Sequence, residues 1–522
     1  MLFALIPLLL ASTFAAAATP PPAITVRGNH FVVGGSAERF TVKGVAYQPR
    51  YRGPTVDPIS NAAHAAWSRD LPLIAALGAN LVRVYDIDPN QQHDQFMAAL
   101  AEQNMYLLLD LASDSGPSSH INRDSPSYSL ALQSRYLDVV DAFAGYSNVF
   151  GFIVGNEVSG SSERATRAAP MVRALVRDMR QYMSATGKRA VPLGYAASDN
   201  ADTRVSEMHY YTCGSSDSAV DFFGHNLYSW CADNATFPTS GYADRLAEFK
   251  TLGVPVVLSE FGCNVIRPRS FPDVPSIYGP DMNAVVAGAI AYEWSEENNG
   301  YGLVSIKSAS DATVTKLPDY DALKAQWLTV IRPLQTLPGK STSGAKGGPR
   351  PQCPTVNTAW QAAASPLPPT PSACTCEKEM QRLAFAECRA SLPSNTTDVE
   401  KSTFLANVCG MAPCGDIGSL DDPSRGIYGK LGPCSLDTKI AWVLDAYYVG
   451  HGKVQSACDW GGRGILVPGV AHAASPQSSA SCQDRIVSPK DAPASAKSAS
   501  LGHQAASALA LAWALVSAVV TM

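Results

Sequence analysis

The chain has 522 residues, 46% of them hydrophobic, and a formal net charge of −5. That length exceeds one ordinary domain, and the apolar content supports a large core. The charge balance, with no strongly basic run, argues against a nucleic-acid binder and fits a neutral polymer or a small polar substrate better.

In chain order, Met1 to Ala18 is almost wholly apolar and ends in Ala15-Ala16-Ala17-Ala18, which reads as a signal peptide, although no Lys or Arg precedes the apolar run. A membrane anchor would need a longer span. From residue 19 to about 337 short apolar strands alternate with helical stretches. The strands are expected at Thr41–Tyr47, Asn80–Tyr85, Tyr106–Leu111, Val149–Asn156, Arg189–Gly194, Asp221–Tyr228, Val254–Glu260 and Ala289–Trp294. Helices are expected at Ser68–Leu77, Gln92–Gln103, Leu130–Tyr146, Ala168–Thr186 and Asp244–Leu252. This rhythm predicts an α/β fold, a (β/α)8 TIM barrel. The competing reading, a doubly wound open sheet, lacks a Gly-rich dinucleotide fingerprint after the first strand.

Residues 338–372 form a linker, flexible over Gly339–Pro354 and a stiffer Pro-rich spacer over Ala362–Ser372. Residues 373–482 form a compact Cys-rich module with eight of the 12 cysteines, hence up to four bridges in a secreted chain. Residues 483–500 are a Ser/Ala/Pro-rich stalk, and 501–522 an apolar tail with no charged residue. Small residues around Ser495 and Ser498 followed by such a tail read as a GPI-attachment signal; the alternative is a tail-anchored helix. Asn234-Ala235-Thr236 and Asn395-Thr396-Thr397 are glycosylation acceptors in a eukaryotic secretory pathway.

The chemistry is concentrated at strand ends. The fourth strand stops at Asn156-Glu157 and the seventh at Glu260, and in a βα barrel such residues face the active-site mouth. Two carboxylates at one rim are the minimum for cleaving a glycosidic bond, and an Asn before the acid suits the sugar 2-hydroxyl. A structural salt bridge is the alternative for either Glu alone. The other strand ends carry Tyr47-Gln48, Tyr85-Asp86, Asp110, Asn226-Leu227-Tyr228 and Tyr292-Glu293-Trp294, which supply stacking faces and hydrogen-bond partners for a carbohydrate groove.

Lys43-Gly44-Val45-Ala46-Tyr47-Gln48, Arg83-Val84-Tyr85-Asp86, Ile121-Asn122-Arg123-Asp124, Gly155-Asn156-Glu157-Val158, Asp221-Phe222-Phe223-Gly224, Ser259-Glu260-Phe261-Gly262-Cys263 and Tyr292-Glu293-Trp294-Ser295-Glu296 together resemble the fungal GPI-anchored β-1,3-glucanosyltransferases of glycoside hydrolase family 72. The resemblance implies a retaining transglycosylase that cleaves β-1,3-glucan internally and elongates a second chain. Glu260 would be the nucleophile and Glu157 the acid/base, with their carboxyl groups roughly 5–5.5 Å apart. Gln48, Tyr85, Asp110, Asn156, Tyr228, Tyr292 and Tyr301 would line the donor and acceptor subsites. The partners implied are glucan chains, with no cofactor, no metal, no nucleic acid and the membrane met only through a GPI anchor. A monomer at the plasma membrane or cell wall is implied. Simple β-glucan hydrolysis, or a wall-anchored glucan-binding protein of low activity, are the alternatives.

Asn407-Val408-Cys409-Gly410, Gly426-Ile427-Tyr428-Gly429 and Ala457-Cys458-Asp459-Trp460 resemble the X8-type module of carbohydrate-binding family 43. A structural cap without a sugar site is the alternative for this module. The chain departs from the family at two places. Trp67 and Phe96 stand where the family usually has a bridged cysteine pair, which suggests an apolar contact instead. The remaining bridges would then be Cys213–Cys353 and Cys231–Cys263. The loop Ser113–His120 is also longer than the family's usual one.

Overall fold

Short apolar runs recur along the first 300 residues, each too brief to bury itself alone, and in the computed structural model they close into one barrel. The structure describes residues 20–50, 57–114, 116, 119–123, 126–160, 162, 164–330, 349–418, 421–467 and 482–486. The expected signal peptide, residues 338–348 of the linker, 468–481 of the module and everything beyond 486, with the stalk after its first four residues and the GPI site, lie outside these, as do three positions of the loop 113–120.

An N-terminal hairpin of β1 (Ile24–Arg27) and β2 (His30–Val33) precedes the barrel. The barrel strands are β3 (Val42–Ala46), β4 (Leu81–Val84), β5 (Tyr106–Asp110), β6 (Val149–Asn156), β7 (Leu193–Ala197), β8 (Phe222–Leu227), β9 (Val256–Phe261) and β10 (Val286–Ala291). All eight are parallel and in sequence order, with β10 returning to pair with β3. Their residues are almost uniformly buried, because the barrel interior covers one face and the helices the other. Around them run α1 (His64–Ala76), α2 (Asp94–Glu102), α3 (Leu130–Phe143), α4 (Ala169–Ala185), α5 (Arg204–Thr212), α6 (Tyr242–Phe249), α7 (Val274–Tyr278) and α8 (Pro318–Thr329), with a two-stranded ribbon β11 (Val304–Ser305) and β12 (Thr315–Lys316) before the last.

The hairpin was not expected from the sequence. It plugs the end of the barrel at which the strands begin. Phe31 packs on Phe150 and Phe222 with ring centroids 4.6 and 5.5 Å away, and the Tyr106 hydroxyl donates to the Pro22 carbonyl. Gly194 allows this plug, since a Cβ there would lie 2.2 Å from the Phe222 ring. With one mouth sealed by apolar side chains, only the other end is open to a ligand.

Two strands start elsewhere than expected. The fifth begins at Leu193, not Arg189, because Pro192 has no N–H for the ladder and only its carbonyl joins, accepting from Phe152. The eighth ends at Ala291, and Trp294 lies beyond it. Helices α5, α7 and α8 were also missed. α5 buries Glu207 and Thr212 beside Met208, Tyr210 and Tyr211, so polar residues interrupt its apolar stripe.

Trp67 on α1 and Phe96 on α2 do meet, edge to face at 84° with centroids 5.7 Å apart, which is the apolar contact expected between them. Six disulfides engage all twelve cysteines. Cys213–Cys353 joins the end of α5 to the following segment.

The segment read from sequence as a Pro-rich spacer, expected to be tied to the barrel through Cys353, lies docked on it. Trp360 is fully buried with its ring 5.1 Å from Tyr210, and the Tyr210 hydroxyl donates to the Ala363 carbonyl. Arg177 donates to Pro368 and Thr370. Trp360 and these backbone acceptors give the segment a surface to lie on.

The module comprises α9 (Ala373–Leu383), β13 (Cys388–Ala390), α10 (Asp398–Cys409), α11 (Leu436–Gly450), α12 (Ser456–Asp459) and β14 (Gly464–Leu466), with β13 and β14 antiparallel. Thr397 opens α10 with a reciprocal capping box to Glu400. Its core of Phe404, Val408, Ile440, Val443 and Leu444 is small for independent stability, and four bridges, 374–482, 376–434, 388–458 and 409–414, staple it. It touches the barrel through Leu130 N–H to Pro433 and through Arg485, which pairs with Asp138 and Asp141 on α3.

Candidate active site

At the open mouth, the strand ends bring the carboxylates of Glu157 and Glu260 into one hydrogen-bonded network. Glu260 belongs to β9, is 8% exposed, and is held from three sides. The Tyr228 hydroxyl, just past β8, donates to Oε2 at 2.8 Å; that of Tyr85, just past β4, donates to Oε1 at 2.9 Å. Arg83, within β4, reaches Oε1 at 3.3 Å. Burial pushes the Glu260 carboxyl above its ordinary value, and Arg83 and the two phenols pull it back towards the anion.

Arg83 is the centre of the site. It is fully buried, forms a fork to both carboxylate oxygens of Asp110 (3.0 and 2.9 Å), and also donates to Asn156 Oδ1 at 3.0 Å. Asn226 of β8 donates to the same Asn156 oxygen and to Glu157 Oε1 at 2.8 Å. The Asn156 amide nitrogen is not used in these bonds. Glu157 follows β6 directly and has left-handed backbone, φ 51°, unusual for a residue with a Cβ.

Four half-buried tyrosines wall the mouth. Tyr292 sits 6.3 Å from Tyr85, 6.5 Å from Tyr228 and 5.3 Å from Tyr301, each edge-on. The disulfide Cys231–Cys263 ties the chain after Tyr228 to the chain after Glu260. Arg269 donates to the carbonyls of Tyr292 and Tyr301 and pairs with buried Asp319, which fixes the loop carrying both rings. Beside them Glu293 is 4% exposed, and burial pushes its carboxyl up to about 7. A cleft of about 480 Å³ leads from Tyr85, Asp110 and Asn156 along the loop bearing His120 and Arg123.

The structure therefore gathers Glu157, Glu260, Tyr85, Asp110, Asn156, Tyr228, Tyr292 and Tyr301 at one mouth. Gln48 differs: it is 3% exposed, and its amide accepts from the N–H groups of Tyr85 and Asp86 and donates to the Asp86 carbonyl. It shapes the turn that presents Tyr85. Tyr47 and Trp294, read as rim aromatics, are fully buried, and the Tyr47 hydroxyl bonds Asp70 on α1. Sequence reasoning placed Asn226 among the strand-end polar residues without giving it a role of its own, and missed Arg83 and Arg269. The signal for Arg83 was a cation in the middle of an apolar central strand, which is tolerated only when paired. Among the described residues no group of three or more His, Cys, Asp or Glu could hold a metal ion.

Residues 13–331 match the family described as Glucanosyltransferase (glycoside hydrolase family 72), and residues 386–465 match the X8 domain. The chain is 36% identical over 464 residues to Protein EPD1 of Candida maltosa, covering 88% of this chain and 81% of the relative. It is 35% identical over 478 residues to the 1,3-beta-glucanosyltransferase gas1 of Schizosaccharomyces pombe, covering 90% and 83% respectively. Its structure resembles Saccharomyces cerevisiae Gas2p in complex with laminaritriose and laminaritetraose, with a TM-score of 0.73 at 34% identity over 84% of this chain and 95% of that one.

Proposed function

The chain belongs to the glucanosyltransferase family, and from that premise we propose that it cleaves β-1,3-glucan and transfers the new reducing end to the non-reducing end of a second chain. The observation that carries this reading is the pairing of Glu157 and Glu260 across one open mouth, bridged through Asn226, Asn156 and Arg83. Glu260, held as the anion by Arg83 and two phenols, attacks the anomeric carbon. The glycosidic bond breaks with its electrons on the leaving oxygen, which takes the proton of Glu157. The resulting ester retains the donor half. Glu157, now ionised, removes the proton from the incoming 3-hydroxyl, whose oxygen displaces Glu260, so configuration is retained.

Asn156 offers its amide nitrogen to the sugar, and Tyr85, Tyr228, Tyr292 and Tyr301 offer ring faces and hydroxyls; we assign them, with Asp110 acting through Arg83, to the subsites. The six disulfides fit an oxidising, extracellular setting, and with the terminal segments they support a place at the cell surface. The test is the product profile from a defined laminari-oligosaccharide. Products longer than the substrate, absent with Glu260→Gln, are expected. Only shorter products would replace transfer by hydrolysis, and unchanged products with the variant would end the assignment.

A further inference from the structure

The backbone of Glu157 is left-handed, a state that a residue with a Cβ keeps only where the surroundings impose it. The restraint lies just downstream. Ser159 is fully buried, and its N–H donates to the Tyr195 hydroxyl of β7 at 3.1 Å. Its hydroxyl donates to Glu207 Oε1 on α5 at 2.8 Å and meets the Tyr211 hydroxyl at 2.8 Å. Tyr195 donates to the same Glu207 oxygen at 2.6 Å, and its ring stacks on Tyr211 at 3.9 Å. The next carbonyl, of Gly160, accepts from the Thr203 hydroxyl at 2.8 Å. Gly160 leaves no room to move, since a Cβ there would sit 2.4 Å from Glu207 Oε2.

Glu207 has no solvent exposure and takes no part in the chemistry derived above. A buried carboxyl is costly unless it serves its neighbours. We propose that Glu207 is a positioning residue for Glu157: by anchoring Ser159 it fixes the turn after β6 and holds the acid/base carboxyl against the leaving oxygen. Burial pushes the Glu207 carboxyl up to about 7. Below that pH its proton belongs on Oε2, since Oε1 already accepts two hydroxyls and Oε2 has no hydrogen-bond partner among the described residues. The anchor is then neutral and places no charge behind the acid/base.

This inference rests on the role proposed for Glu157, so Glu157→Ala accompanies the test. Two donors are compared: a laminari-oligosaccharide, whose leaving oxygen needs a proton, and a dinitrophenyl β-laminari-oligosaccharide, whose phenolate departs without one. With Glu207→Ala, turnover of the first is expected to fall at least about 10-fold. The pre-steady-state burst of dinitrophenolate should stay within about threefold of wild type, because Glu260 still attacks. Azide, which needs no deprotonation, should restore turnover of the activated donor and give a glycosyl azide of retained configuration. Glu207→Gln, which keeps the accepting oxygen, should recover most activity. Equal loss on both donors, no azide effect, or no loss at all would overturn the proposal. If Glu207→Ala does not fold, Ser159→Ala, which removes one hydroxyl, is read the same way. Glu157→Ala must show the full pattern. If it does not, the acid/base assignment itself fails; if it does and Glu207→Ala does not, only the positioning role fails.

Discussion

Arg83 contacts Glu260 at 3.3 Å from a position with no solvent exposure, so the counter-charge of the proposed nucleophile is built into the barrel wall. Replacing it by Gln leaves Asp110 and Glu260 buried without a cation. Removing one partner of a buried pair typically costs about 3–5 kcal/mol. The sign for activity follows from the same contact: without the guanidinium the Glu260 anion is less favoured, so the acid limb of kcat/KM moves to higher pH. Arg83→Gln is therefore expected to lower the unfolding midpoint and shift that limb upward together. A pH–rate profile with an unmoved acid limb would show that Arg83 does not tune the nucleophile.

The two phenols can be separated from the cation. Tyr85→Phe and Tyr228→Phe each delete one donor to a Glu260 oxygen and leave the ring. Hydrogen bonds to charged groups contribute about 1.5–3 kcal/mol, so each variant should lose roughly 10- to 100-fold in kcat/KM. Because both act on one carboxylate, the double variant should lose less than the product of the single losses. Steady-state kinetics on one oligosaccharide measures all three.

The barrel and the place of Glu157 and Glu260 at its mouth were legible because they obey simple local rules. Buried apolar strands that stop at polar or acidic residues mark the open mouth, and the spacing of eight apolar runs marks the closure. Gln48 was legible as a strand-end polar residue but not in its direction, since whether an amide faces the groove or its neighbour's backbone depends on the turn at Tyr85 and Asp86. Arg269 lies in a loop after β9, and nothing local says that its guanidinium will fold back onto Tyr292 and Tyr301. Trp360 sat in a Pro-rich stretch whose composition describes the free chain, not the surface it meets.

Carboxyls raised by burial contribute to the pH dependence of folding. Glu207 and Glu293 are pushed to about 7, and Asp273 and Asp421 to about 6, each by burial. Their folded values lie above the unfolded ones. The folded state therefore binds more protons, and their stabilisation is complete below about pH 4 and lost as pH rises through 6 to 7. The unfolding midpoint is expected to fall over that window, and Glu207→Gln, which cannot ionise, should flatten the slope. A midpoint that rises between pH 5 and 7, in wild type and variant alike, would contradict this.

The contact between Trp67 and Phe96 is open to a direct energetic test. Trp67 is 2% exposed, Phe96 fully buried, and the indole N–H donates to the Ser60 carbonyl at 2.9 Å. Truncating a buried aromatic to Ala costs about 3–5 kcal/mol, most of it from the cavity and lost transfer energy. The edge-to-face geometry adds about 0.5–1.5 kcal/mol that belongs to the pair. Trp67→Ala and Phe96→Ala should each lower stability strongly, while the double variant should lose less than the sum, by that pair energy. Urea unfolding of the four chains completes the cycle. The pair energy should also persist under reductant, since neither position carries a sulfur, even though the six disulfides open and overall stability drops. A coupling of zero would mean that α1 and α2 are held by the surrounding core alone, and that the two rings fill space without replacing a staple.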